Sequence, residues 1–368
     1  MSHEILVSTR KGLFTLGRES KGWAIRGVDF LADNVTLALC DPRDGTCYAA
    51  LNHGHFGVKL HRKLSGGAWE EVAAPAYPEK PEGLVDLDGW GKPVNWSTQL
   101  IWALEPGGPD EPGHLWCGTL PGGLFRSRDK GASWELNRPL WDNPGRNKWM
   151  GGGADLPGIH SICVDPRSSK TIRVGVSCGG VWVTHDGGAT WACKANGMHY
   201  DHMPDGQADD PGTQDPHMLV QCQAAPDRLW VQHHCGIFVS RDASESWQEI
   251  KNVPPSSFGF GVVVHPGDPD TAWFVPGIKD EKRIPVDGKL VVTRTRDGGK
   301  SFDVLRNGLP QEHSYDLVFR HALAIDESGE RLAFGSTTGG VWASEDQGDS
   351  WQNVTHTLPP VHAVRFAG

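Results

Sequence analysis

Histidine titrates near neutrality and, as a neutral imidazole, is a common ligand of transition metals. The sequence has 368 residues, 17 of them histidine. Four share one context, each standing directly before a short apolar run. His160 precedes Ser161-Ile162-Cys163-Val164, and His217 precedes Met218-Leu219-Val220. His321 precedes Ala322-Leu323-Ala324-Ile325, and His362 precedes Ala363-Val364. Phe260, Gln99 (or Leu100) and Thr36 take the equivalent place in other runs. Histidines that converge and leave one position open make a reactive centre for a divalent transition metal, here zinc, copper or iron. Such an ion lowers the pKa of its water to about 7. Without metal, the same imidazoles could serve as general acid and base.

A second set lies two residues before a recurring glycine: Arg10, His55, Pro121, Cys178, His234 and Thr338, with His53 and His233 alongside. The expected metal ligands are therefore His160, His217, His321 and His362. The expected catalytic residues are Arg10, His53, His55, His233 and His234, and the expected substrate contacts are Trp90, Trp149, Phe260 and Gln99. Two acidic stretches add candidates, His199 to Asp205 with Asp209, Asp210 and Asp215, and Glu82 to Trp90 with Asp86 and Asp88. For most of these acids a solvated loop position is the plainer reading. For the histidines, the plainer reading is a polar, water-filled channel.

Positioning such residues requires a repetitive scaffold, and the sequence carries one. Ser127-Arg128-Asp129-Lys130-Gly131-Ala132-Ser133-Trp134 returns four more times, around Asp186, Asp242, Asp297 and Asp346. These aspartates are spaced by 57, 56, 55 and 49 residues. A fixed period of this size marks an array or a propeller. Glycine supplies positive φ, aspartate bonds backbone N–H groups in the turn, and the aromatic residue is expected to pin the turn against its own sheet. In the third copy Ser244 replaces a glycine.

Seven glycine-led strands precede these turns, at Gly12, Gly57, Gly123, Gly180, Gly236, Gly288 and Gly340. Each unit reads as four strands, A to D, with the repeated turn between C and D. The chain begins with a B strand, Ile5-Leu6-Val7-Ser8-Thr9, and finishes with an A strand, His362-Ala363-Val364-Arg365-Phe366. The expected architecture is all-β: a single domain over 1–368, a seven-bladed β-propeller closed by N- and C-terminal strands sharing one blade. Blades fall near 34–72, 97–136, 158–194, 215–250, 257–304 and 319–353, the seventh being 360–368 with 1–25. Closure removes the exposed sheet edges. Antiparallel connectivity then places the repeated turns on one face. The B-to-C loops and the long links 73–96, 136–157 and 195–214 fall on the other, where function is usually found.

The repeated turn resembles the Asp-box, or bacterial neuraminidase repeat, of the sialidase-like β-propellers and glycosyl hydrolase-like proteins. The resemblance spans nearly the whole chain and implies the fold. A sialidase would also need three arginines, a tyrosine paired with glutamate, and an aspartate acid. The only Arg-Ile-Pro is Arg283-Ile284-Pro285, far from the N-terminal place it takes in sialidases. The four tyrosines, at 48, 77, 200 and 315, suggest no such pair. True sialidase activity is not expected.

A net charge of -10 and scattered lysine and arginine argue against nucleic acid and anionic membranes as partners. No secretory signal or membrane-spanning run is evident, and the eight cysteines lack CxxC spacing, which suggests free thiols in a cytoplasmic protein. Two functions remain. One is a metal-dependent hydrolase or lyase acting at the channel mouth on a small or saccharide-like substrate. The other is a non-catalytic propeller binding a protein or glycan on that face.

Overall fold

Seven antiparallel four-stranded sheets make up the fold in the computed structural model, which describes residues 3–152, 155–204 and 206–367. The first strand of each blade packs against those of its two neighbours, so seven inner strands close a ring about one axis. The protein is a seven-bladed β-propeller. Helix is almost absent among the described residues; a single α-helical turn, Arg138–Trp141, lies in the link after blade 2.

Strands in the middle of a blade are covered on both sides, and their sequences show it. Gly180–Thr184, Leu229–His233 and Gly236–Ser240 are buried at every position, as expected for sheets packed face to face. Trp230, Trp273 and Trp342 fill the gaps between blades and are fully buried. Truncating one such side chain typically costs about 3–5 kcal/mol.

The closing blade uses both termini. Val361–Ala367 is its inner strand and pairs antiparallel with Glu4–Thr9, placing Val7 opposite Val364 and Ile5 opposite Phe366. Gly12–Glu19 and Gly22–Asp29 complete the sheet.

The five repeated turns share one hydrogen-bonding scheme. Asp186 Oδ1 accepts the N–H of Thr190 at 2.9 Å, and Oδ2 accepts the Thr190 hydroxyl at 2.6 Å. Asp129, Asp242, Asp297 and Asp346 do the same with Ser133, Ser246, Ser301 and Ser350. One expectation needs correction: the aromatic residue ties neighbouring blades together. The indole N–H groups of Trp134, Trp191 and Trp247 donate to Ala73, Asn137 and Lys194, each just past the outer strand of the preceding blade.

The cysteines also differ from expectation. Cys40 and Cys47 are directly opposed across the first hairpin of blade 1 and form a disulfide. Their pairing depends on strand register, which spacing along the sequence does not reveal. The other six are free thiols.

A candidate metal and saccharide site at the channel mouth

The link after blade 3 ends at Asp215, and the inner strand Pro216–Gln221 follows at once. Asp215 is 1 % exposed. Its Oδ1 accepts the N–H of Cys178 at 3.0 Å and the Ser177 hydroxyl at 3.3 Å. Its Oδ2 faces His217 Nε2 at 3.6 Å and His234 Nδ1 at 3.3 Å. Ligand atoms of these three residues all lie within 4.8 Å of one another.

The tautomer of His217 follows from its other nitrogen. Nδ1 lies 2.7 Å from the carbonyl oxygen of Gly259, and a carbonyl can only accept. The proton therefore sits on Nδ1, and in the neutral ring Nε2 offers a bare lone pair toward Asp215. Phe260 stacks on the imidazole, 4.5 Å between centroids with planes 11° apart, and holds its orientation. Two lone-pair donors facing each other in a buried site repel unless a cation lies between them.

Electrostatics favour that arrangement. Burial alone would raise the Asp215 carboxyl, yet its imidazole neighbours and the Arg320 cation hold it well below the usual carboxylate range. Burial lowers His217 despite the attraction of Asp215. An ionised carboxylate and a neutral imidazole are the protonation states that metal ligation requires. His234 is partly open to solvent and packs against Tyr200 at 5.3 Å and His202 at 4.9 Å, both from the long link 195–214.

The expected set of His160, His217, His321 and His362 does not meet at one point. His160 is buried, with Nδ1 2.8 Å from the Ser161 hydroxyl. His321 Nε2 donates to the backbone carbonyl of His160 at 2.7 Å, and His362 Nε2 lies 3.0 Å from Asn34 Oδ1. Each ring is turned to a neighbour of its own, so the shared strand position does not give a shared focus. Only His217 belongs to the cluster.

The catalytic candidates divide as well. His234 is in the cluster. His233 supports it: its ring accepts the N–H of Asp215 at Nε2, 3.0 Å away, while Nδ1 lies 3.1 Å from the Cys235 amide nitrogen, and burial pushes it down to about 3. It is a structural brace. His53 lies near Asp33, at 3.9 Å, and His55 packs on Phe56; both belong to the blade 1 loop. Arg10 is exposed on the closing blade.

Among the substrate contacts, Phe260 orients His217. Trp149 is fully buried against Trp182, so it is core and does not wall a pocket. Trp90 is 54 % exposed, its indole N–H donating to Gly151 at 3.1 Å. Gln99 is exposed and contributes backbone bonds at the base of the blade 1 loop. Asp86 is ion-paired with Arg146 at 2.5 Å. Asp205 lies outside the described residues.

Sequence reasoning treated Asp215 as one loop acid among several, yet it is the centre of the cluster. Its place two residues before an inner-strand histidine was the available signal. Trp102 and Arg320, which stand beside His160, were not recognised as a pair.

The fold and these residues define a β-propeller with a histidine–carboxylate cluster at one mouth of its channel. No protein-family model matches the chain. It is 27 % identical over 289 residues to an oligoxyloglucan-reducing end-specific xyloglucanase of Emericella nidulans, covering 72 % of this chain and 33 % of that protein. A xyloglucanase of Hypocrea jecorina is 24 % identical over 237 residues, covering 58 % of this chain and 27 % of that one. The chain thus spans about a third of the length of these relatives. Among solved structures, the GH74 xyloglucanase from Xanthomonas campestris aligns over all of this chain and 53 % of its own, with TM-score 0.62 and 19 % identity. YCF48 from Cyanidioschyzon merolae aligns over 89 % of this chain and 87 % of its own, with TM-score 0.52 and 11 % identity. These likenesses establish the propeller.

Proposed function

We propose that the protein is a saccharide-directed hydrolase or lyase that works at the channel mouth with a divalent metal held by Asp215, His217 and His234. The observation that carries this reading is the bare His217 Nε2 facing Asp215 Oδ2 at 3.6 Å, its tautomer fixed by Gly259. Resemblance to xyloglucanases over 72 % of the chain supports a saccharide substrate. A bound divalent ion would supply Lewis acidity toward a sugar or water oxygen. The remaining work falls to the chain. Asp215 stays anionic, Phe260 keeps the His217 ring from rotating, and Tyr200 and His202 narrow the approach to His234. Exposed Trp90 offers an apolar face to a sugar ring.

The test is metal content of the purified protein after loading with zinc, manganese, copper or iron, together with sugar release from a panel of plant polysaccharides. Near-stoichiometric metal that is lost in Asp215→Asn and His217→Gln, with activity falling alongside, is the expected result. A protein that takes up no metal under any loading condition overturns the metal reading.

A second reading has its own observation. Leu31, Phe56, Val85, Trp90 and Tyr315 are all exposed large apolar residues in links on this same face. Such side chains also suit a protein or glycan partner. Capture of a partner by a protein that remains catalytically silent with metal bound would favour it.

A further inference from the structure

One arginine at the channel mouth stands against two aromatic rings. The turn Arg320–Ala322 leads into the inner strand of blade 6 and brings Arg320 to the channel mouth. Its guanidinium carbon lies 5.0 Å from the Trp102 ring centroid and 5.2 Å from that of Phe260. Among the described residues no carboxylate pairs with it, and its Nε is buried without a hydrogen-bond partner. The neighbouring arginines differ: Arg365 is bound to Glu105, and Arg283 to Asp280 at 3.0 Å.

A second buried polar atom without a partner among the described residues lies against Trp102. His160 is 1 % exposed and its ring lies 5.4 Å from that indole. The Ser161 hydroxyl lies 2.8 Å from His160 Nδ1, accepts the N–H of Leu219 at 3.0 Å and donates to Met218 Sδ at 3.4 Å. His160 Nε2 is buried and has no partner among the described residues. Leaving a buried donor without a partner is costly, and more so for a charged group. An arginine fork held between aromatic faces is suited to a planar carboxylate, which it can bind through two parallel N–H bonds.

We infer that Arg320, held against Trp102 and Phe260, is a carboxylate-recognition site, and that the saccharide handled here carries a uronic acid residue. This inference rests on the reading of the mouth as a saccharide site. Arg320 and His217 both pack on Phe260, at 5.2 and 4.5 Å, so a sugar carboxylate on Arg320 would lie near the proposed metal. A neutral saccharide would leave the Arg320 guanidinium unpaired.

The experiment is calorimetric titration of the whole protein with trigalacturonate and with its methyl ester, which keeps the sugar and removes the charge. The acid is expected to bind at least tenfold more tightly than the ester. Arg320→Met should abolish that difference, and Arg320→Lys should retain part of it while keeping a cation in the fold. Equal binding of acid and ester, binding of neither, or a preference that survives Arg320→Met would overturn the inference. Metal content is measured on the same samples. In the unsubstituted protein, no acid preference with metal present defeats this inference alone, and absence of metal with the preference intact defeats only the metal reading.

Discussion

His217 directs an unprotonated Nε2 at Asp215 Oδ2, 3.6 Å away, because its other nitrogen is committed to the carbonyl of Gly259. Phe260 lies flat against the same ring. Replacing Phe260 with leucine keeps all three proposed ligands but frees the imidazole to turn. Phe260→Leu is expected to retain metal stoichiometry while lowering affinity ten- to hundredfold. Competition with a chelator of known affinity measures this directly.

Two tryptophans on one face should behave oppositely. Trp149 is core, so Trp149→Ala is expected to destabilise the fold by about 3–5 kcal/mol. Trp90→Ala should leave the melting temperature nearly unchanged and weaken saccharide binding. Thermal denaturation and titration of both variants separate the roles.

The third repeated turn contains a correctable strain. Ser244 has φ of 79° where the other four copies have glycine, and its hydroxyl is buried without a partner. Ser244→Gly removes both penalties and is expected to stabilise the protein by about 1 kcal/mol. Chemical denaturation of the two proteins would show it as a higher midpoint at equal slope.

Acid lability has a defined origin at His321. Burial pushes its pKa down to about 4, although its bond to the His160 carbonyl resists the shift. In the unfolded chain it titrates near about 6.5. The folded value is depressed, so the stabilisation is present above about pH 6.5 and is lost as pH falls toward 4. The decline from this group is at most about 1.4 kcal/mol per pH unit. His321→Gln keeps an N–H for the same carbonyl and should flatten the pH dependence of the melting temperature over that range.

The architecture was readable because a propeller repeats its instructions. Five turns with one hydrogen-bonding scheme, seven leading glycines and two half-blades at the ends fixed blade number and closure together. The site was only half readable. Periodicity places His160, His217, His321 and His362 at comparable heights on inner strands, but it carries no information about ring rotation. Asn34, Gly259 and the His160 carbonyl, which decide where those rings turn, come from other blades. Asp215 was misjudged for a related reason: a residue ending a long polar link looks solvated until the inner strand after it draws it inward. Trp149 misled in the reverse direction, since an indole in a link on the working face is as suited to packing as to binding.

The pairing of Val361–Ala367 with Glu4–Thr9 also sets an order of events during synthesis. Six blades can be translated and folded while the strand Glu4–Thr9 still lacks its axial neighbour, leaving that edge open to any extended segment nearby. The circle can close only once residues 361–367 have left the ribosomal tunnel. Until that strand emerges, Glu4–Thr9 stays an unpaired edge, and a chaperone guarding it would compete with closure of the ring.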